Sequence, residues 1–211
     1  MKVCELGIVG AWVFTPEVHT WAAGAFVEPY SAPEFAEVVG HRLDLGHLNV
    51  SVAHAGTVRG VHFGDVPPGQ AKYITCVVGS VWDVAVDLRV GSPTFGAWVG
   101  TLLDDRTRSA VYLSEGLGHG YISLEDHSTL VYVCSQPYVE GREHRINPLD
   151  PDLDIGWPTV SRDGSELDYV IGRKDRAAPM LSEALKHGIL PSLASVLSGG
   201  GNNYLTHLRE G

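Results

Sequence analysis

The sequence predicts an all-β fold, a sandwich, jelly roll or closed barrel, on three observations. Several short segments alternate apolar and polar residues with period two, turn-forming clusters separate them, and helical periodicity is scarce. Composition agrees. The 25 Gly and 12 Pro among 211 residues suit a chain with many turns, and 44% hydrophobic against 19% charged residues is enough to bury a core. One domain is expected over 1–197, followed by a flexible tail at 198–211 that opens with "SGGGNN".

Taken in chain order, the first segment with a helical start signal is Ser31 to Gly40. A serine precedes it, an apolar stripe runs along it and a glycine closes it, so one short helix is predicted. Strands are predicted within Ala71–Val78, Val81–Val90, Phe95–Leu103, Ser109–Leu113 and Ser128–Ser135. In Val81–Val90, Trp82, Val84, Val86 and Leu88 point one way; Asp83, Ala85, Asp87 and Arg89 point the other, with the two aspartates reading as a solvated face. In the last strand Leu130, Tyr132 and Cys134 share a face opposite Thr129, Val131 and Val133. Turn signals fall at "VGSP", "LDDRT", "SEGLGHG" and "LEDHS", and Asn147 to Pro158 reads as a Pro-rich connection. A second helix is predicted over Arg176–Gly188, ended by its glycine.

The net charge of -10 argues against a protein that coats nucleic-acid phosphates, yet leaves room for a local basic site for a small anion. Cys4, Cys76 and Cys134 are odd in number, far apart and without a CxxC pair, which suits free thiols in a reducing cytoplasm. No apolar run approaches the roughly 20 residues needed to span a bilayer, and the N-terminus lacks a signal-peptide pattern. A soluble cytoplasmic protein is expected, with neither membrane nor nucleic acid as partner.

Chemistry centres on His62, in the Gly- and Pro-crowded stretch "TVRGVHFGDVPPGQAK". Jelly-roll metal proteins often pair His-x-His with a later acid and a final histidine. Here Gly64 occupies the second ligand position, Gln70 is no acid, and His119 alone has the spacing of the late histidine, so no metal site is expected. Proton abstraction beside a ketone requires a base, donors for the growing enolate oxygen and an acid. By type, His62 suits the base, Lys72 and Asn49 the oxygen, and Tyr132 the acid; an aspartate behind His62 would orient the ring. The same residues are also compatible with a hydrogen-bonded loop histidine, a core tyrosine and surface charges at Arg59 and Lys72.

Six ordered motifs carry a resemblance: "HLNVSVAHAGTVRGVHF", "PPGQAKYITCVVGSVWDVAVDLRVGSPTFG", "VYLSEGLGHGYISLED", "VYVCSQPY", "REHRINPLDPDLDIGWP" and "RKDRAAPMLSEA". From about Gly10 to Glu183 the chain resembles the dTDP-4-dehydrorhamnose 3,5-epimerase family. The resemblance implies a cupin-type jelly-roll homodimer that needs no metal or other cofactor. It would act on a dTDP-4-keto-6-deoxyhexose, inverting carbon 3, carbon 5 or both through an enolate. Position by position, His62 matches the general base, Tyr132 the general acid and Lys72 the lysine beside the keto oxygen. Asn49 and His119 match the sugar pocket, Arg59 a diphosphate contact, Tyr138 an aromatic that stacks on thymine, and Glu143 a further substrate contact. Glu28 matches an acid that reaches the base from the partner subunit. The aspartate behind His62 is Asp175 or Asp168; the following "AAPMLSEA" favours Asp175.

Two positions depart from the family pattern. In "TWAAG" Ala23 replaces an arginine that contacts the diphosphate, and His47 stands where a glutamine is usual. Losing one charge-assisted phosphate contact removes about 1.5–3 kcal/mol if nothing replaces it; Trp21 is a candidate replacement by stacking. These departures favour a specialised epimerase of secondary-metabolite sugars over a housekeeping rhamnose enzyme. The rival readings are a metal-dependent cupin oxygenase and a sugar-nucleotide binding protein that has lost catalysis.

Overall fold

Alternating segments settle as strands where at least one face can be buried, and this chain supplies enough of them for two facing sheets. The computed structural model describes residues 1–198. Its first half runs β1 (Lys2–Glu5), β2 (Ala11–Thr15), β3 (Val18–Trp21), β4 (Gly24–Val27), α1 (Ala32–Val39), β5 (His47–Ala53), β6 (Thr57–Gly64) and β7 (Lys72–Val78). Then follow β8 (Ser80–Asp87), β9 (Trp98–Asp104), β10 (Ala110–Leu113), β11 (Leu117–Ser123), β12 (Ser128–Cys134) and β13 (Glu143–Arg145). The described residues end with β14 (Val170–Ile171), α2 (Arg173–Arg176), α3 (Leu181–Lys186) and α4 (Leu193–Ser198). The tail expected at 198–211 lies, beyond Ser198, outside the described residues.

One sheet has the order β1-β2-β10-β7-β12-β5 and the other β13-β6-β11-β8-β9, with β14 added against β6 and β3-β4 as a separate hairpin. Neighbours distant in sequence mean long crossovers between the sheets, the jelly-roll solution to closing an antiparallel fold. Between the sheets, Ile74, Cys76, Val111, Leu113 and Leu130 meet Val81, Ala85, Leu103 and Leu117 in one apolar cluster. The outer face of the first sheet is covered by α1, whose Phe35 and Val39 pack on Trp12, Phe14, Tyr73 and Tyr112. The outer face of the second is covered by the connection after β13, through Ile146, Leu153, Ile155 and Trp157, together with Leu181 and Ala184 of α3. No helix among the described residues is long and apolar enough to cross a membrane.

The predicted strands and the first helix form where periodicity places them. Ser31 precedes α1, a proline occupies its first turn, and Gly40 closes it with φ 83°, a left-handed value that glycine adopts without strain. Four expectations fail. Asp83 and Asp87 are buried rather than solvated, because β8 is an inner strand covered on both faces. Asp87 is matched there by the buried Arg89, whose Nε and Nη2 each donate at 2.8 Å, and by Ser92 and Thr94.

"SEGLGHG" is a turn only as far as Gly116; from Leu117 it is β11, a fully buried inner strand. Its Gly118 is a point of close approach: a Cβ there would sit 2.6 Å from Val61 Cγ1 and 2.8 Å from Leu88 Cδ1. Likewise His62 lies in a strand, β6, and the turn begins beyond Gly64. The second helix, expected over Arg176–Gly188, forms only as α3 (Leu181–Lys186), with α2 ending where it was expected to begin. Pro179 lacks an N–H and disfavours helical backbone at Ala178, so α2 stops at Arg176 and α3 starts at Leu181.

Candidate active site

The site begins with an irregularity in one strand. Across the β6–β11 ladder His119 faces His62 and Tyr121 faces Arg59, so three steps on β6 match two on β11. The extra residue is a β-bulge at Gly60–Val61. In a regular strand Arg59 and His62, three apart, would lie on opposite faces; with the bulge both line the cavity between the sheets. Only glycine fits this point. Gly60 has φ +113°, and a Cβ would lie 2.5 Å from the Gly120 Cα.

The cavity holds about 260 Å³. Arg59, His62, His119 and Tyr121 enter it from the second sheet, and Asn49, Lys72, Tyr132 and Cys134 from the first. His47, Gln70, Tyr138 and Glu143 also line it; the Tyr138 backbone N–H donates to His47 Nδ1 at 3.3 Å.

His62 Nε2 donates to Asp175 Oδ1 at 2.8 Å, and the Gly60 N–H donates to Asp175 Oδ2 at 3.3 Å. The bulge therefore turns His62 inward and also supplies a donor that seats its carboxylate partner. Burial alone would raise the Asp175 carboxyl; the His62 bond, the Gly60 N–H and the nearby Arg145 outweigh it and hold the group below the usual carboxylate range. Asp168 lies elsewhere, beside Gly56 near the opposite end of β6.

On the facing sheet, burial lowers the Lys72 ammonium, with Cys134 and Glu143 opposing the effect. Lys72 is buried and has no side-chain hydrogen bond among the described residues. Burial raises the Tyr132 phenol, reinforced by Cys134 and Tyr121 and opposed by Arg59, so it is protonated at neutral pH. Arg59 Nη1 donates to Ser51 Oγ at 2.9 Å, and Ser51 Oγ lies 2.9 Å from the Tyr121 hydroxyl. With Arg59 and Lys72 inside it, the cavity is a cationic spot in an acidic protein.

Of the residues singled out in the sequence, His47, Asn49, Arg59, His62, Lys72, His119, Tyr132, Tyr138 and Glu143 share this cavity, with Asp175 behind His62. Glu28 does not reach the cavity of its own chain; it lies with Glu17, His19 and Glu34 in a depression on the surface. Trp21 closes the exposed β3–β4 hairpin, with Ala23 in its turn. Sequence reasoning missed Asp83, whose Oδ2 lies 2.7 Å from His119 Nε2, as well as Ser51, Tyr121, Cys134 and Arg145. The alternation of His119 and Tyr121 was a usable signal, hidden by the glycines around it. Among the described residues no group of three or more His, Cys, Asp or Glu side chains is arranged to hold a metal ion.

Residues 5–183 match the family model described as dTDP-4-dehydrorhamnose 3,5-epimerase. The chain belongs to that family. It is an isomerase, a sugar epimerase. Among its relatives is a Streptomyces niveus protein named dTDP-4-dehydrorhamnose 3-epimerase, 50% identical over 92% of this chain and 91% of that one. A Mycolicibacterium smegmatis dTDP-4-dehydrorhamnose 3,5-epimerase is 47% identical over 92% of each chain. The crystal structure of NovW, a 4-keto-6-deoxy sugar epimerase from the novobiocin biosynthetic gene cluster of Streptomyces spheroides, superimposes with a TM-score of 0.88. It is 49% identical, over 93% of this chain and 95% of that one. The jelly roll read from the strands is thus the fold of the family's solved structures.

Proposed function

We propose that the protein inverts carbon 3, carbon 5 or both of a dTDP-4-keto-6-deoxyhexose, with His62 as general base and Tyr132 as general acid. The observation that carries this reading is the His62–Asp175 hydrogen bond of 2.8 Å, in a cavity whose opposite wall presents Lys72 and Tyr132. With its Nε2 proton committed to Asp175, neutral His62 keeps Nδ1 as the basic nitrogen. It takes the proton from a carbon next to the ketone. The C–H electron pair moves into an enolate, whose oxygen is stabilised by the Lys72 ammonium. Tyr132 then returns a proton to the carbon. Base and acid belong to opposite sheets, so the proton leaves one face of the sugar and arrives on the other, which is inversion.

Arg59 and Lys72 supply positive charge for the anionic substrate, and Asn49 and His119 supply polar contacts for the sugar. Tyr138, exposed at the cavity mouth, is suited to stack on the base, with His47 and Glu143 beside it. The working unit is a homodimer. β5 is an edge strand whose outward residues Leu48, Val50 and Val52 are all more than half exposed, an apolar stripe that a second copy would cover. Pairing also gives Glu28 a cavity to reach, that of the other copy. Three unpaired thiols suit a reducing compartment, and we place the protein in the cytoplasm. Relatives include 3-epimerases and an enzyme from an antibiotic cluster, and Ala23 departs from the usual arginine, so a role in secondary-metabolite deoxysugar synthesis is favoured.

Proton NMR of the protein with dTDP-4-keto-6-deoxyglucose in deuterated water tests this. Exchange and inversion at carbon 3, carbon 5 or both are expected; a sugar spectrum unchanged over hours would reject the reading.

A further inference from the structure

We propose that Arg145 is a positioning residue for the His62–Asp175 pair: its guanidinium, held between Glu143 and Asp175, fixes the carboxylate and takes up part of its charge. The inference rests on His62 being the base. β13 is three residues long and pairs antiparallel with the edge of β6, where Arg145 is the partner of His62 and Glu143 the partner of Gly64. Side chains two apart on a strand share a face, so Glu143 and Arg145 project together. Arg145 Nη2 donates to Glu143 Oε1 at 2.9 Å. Its Nε lies 3.2 Å from Asp175 Oδ1, the same oxygen that receives His62 at 2.8 Å. The Nε contact is an ion pair rather than an aligned hydrogen bond, since that N–H has no bonding partner.

One carboxylate oxygen therefore serves two cationic neighbours once His62 has taken a proton. The guanidinium keeps Asp175 ionised, and by sharing its charge it weakens the hold on the imidazolium. Asp175 is thereby held against His62, the base that must be reset in every turnover. The other ionisable groups lining the cavity are Arg59, His119, Tyr121 and Glu143 on the same sheet, His47, Lys72, Tyr132 and Cys134 on the opposite one, and Tyr138 at the mouth. A change at Arg145 frees Glu143 and leaves the rest of them in place. Arg145 sits on an edge strand and is partly exposed, so its replacement is compatible with folding.

The experiment measures solvent-deuterium exchange into dTDP-4-keto-6-deoxyglucose against pH for the wild type, R145M, R145K and H62A. With Asp175 unshared, R145M holds the imidazolium more firmly, so the acid limb moves to higher pH by roughly one unit. KM stays within about two-fold, and kcat falls several-fold at the acid end. R145K keeps a positive charge but cannot span both carboxylates, and its limb falls between the two. If both variants melt like the wild type and keep its acid limb, Arg145 is a structural residue only and the inference is overturned; if R145M fails to fold, R145K alone decides by the same criterion. H62A separates the two claims: exchange persisting in H62A removes the base, whereas its loss beside an unmoved limb in the Arg145 variants removes only the role of Arg145.

Discussion

His62 and His119 are direct partners across the β6–β11 ladder, and each places its Nε2 against a buried carboxylate: Asp175 at 2.8 Å and Asp83 at 2.7 Å. Adjacent strands thus bring two oriented imidazoles to one wall of one cavity. In both, the carboxylate fixes which ring nitrogen carries the proton.

Removing the base should abolish the chemistry. His62→Ala is expected to stop incorporation of solvent deuterium into the sugar, followed by proton NMR. Asp175→Asn keeps the ring in place but cannot stabilise the imidazolium, and should lower kcat by about 10²-fold or more. Exchange at the wild-type rate in either variant would contradict the role given to that residue.

Tyr132→Phe separates abstraction from return. The His62 wall is untouched, so exchange should continue, while inversion at one or both carbons is lost. Product stereochemistry is read from proton coupling constants; unchanged inversion would take Tyr132 out of the acid role.

Gly60→Ala tests the bulge. With φ +113° and a Cβ 2.5 Å from the Gly120 Cα, the alanine cannot fit without moving β6 or β11. A stability loss of about 2–4 kcal/mol is expected in denaturant titration. Activity should fall further than stability, because Arg59 and His62 depend on the bulge to share a face.

Acid stability should carry the signature of Asp175. Its folded carboxyl is held below the unfolded value of about 3.9, so its stabilisation is full above that pH and is lost as pH falls through the folded value. Between about pH 5 and pH 2, wild type minus Asp175→Asn, measured as unfolding free energy, should therefore shrink as pH falls. A difference that grows on acidification would reverse the assigned sign.

Val50→Glu places a charge in the middle of the apolar stripe on β5. Size-exclusion chromatography with light scattering should show a dimer for the wild type and a monomer for the variant, with activity falling as Glu28 loses its place. A wild-type monomer at working concentration would remove the dimer from the proposal.

Legibility followed the range of each interaction. Strand positions from β7 to β10 and β12, and the shared face of Leu130, Tyr132 and Cys134, were readable because alternation is a local property of a half-buried strand. The caps of α1 were readable for the same reason. β11 was not, since Gly116, Gly118 and Gly120 look like a turn until Val61 and Leu88 are seen pressed against the middle one.

By itself, then, the sequence determined an all-β chain, the family its motifs belong to, and the residue types for acid–base work beside a ketone. Tertiary structure brought Asp175, favoured over Asp168 by its motif, against His62, and it alone decided that Asp83 is buried behind His119. It also decided that Arg59 and His62 face the same way. The physical reason is common to all three. A side chain's face follows from its own strand, but its partner and its burial follow from strands and helices far away in the chain. One extra residue in β6, invisible to period-two counting, reverses the face of everything beyond it.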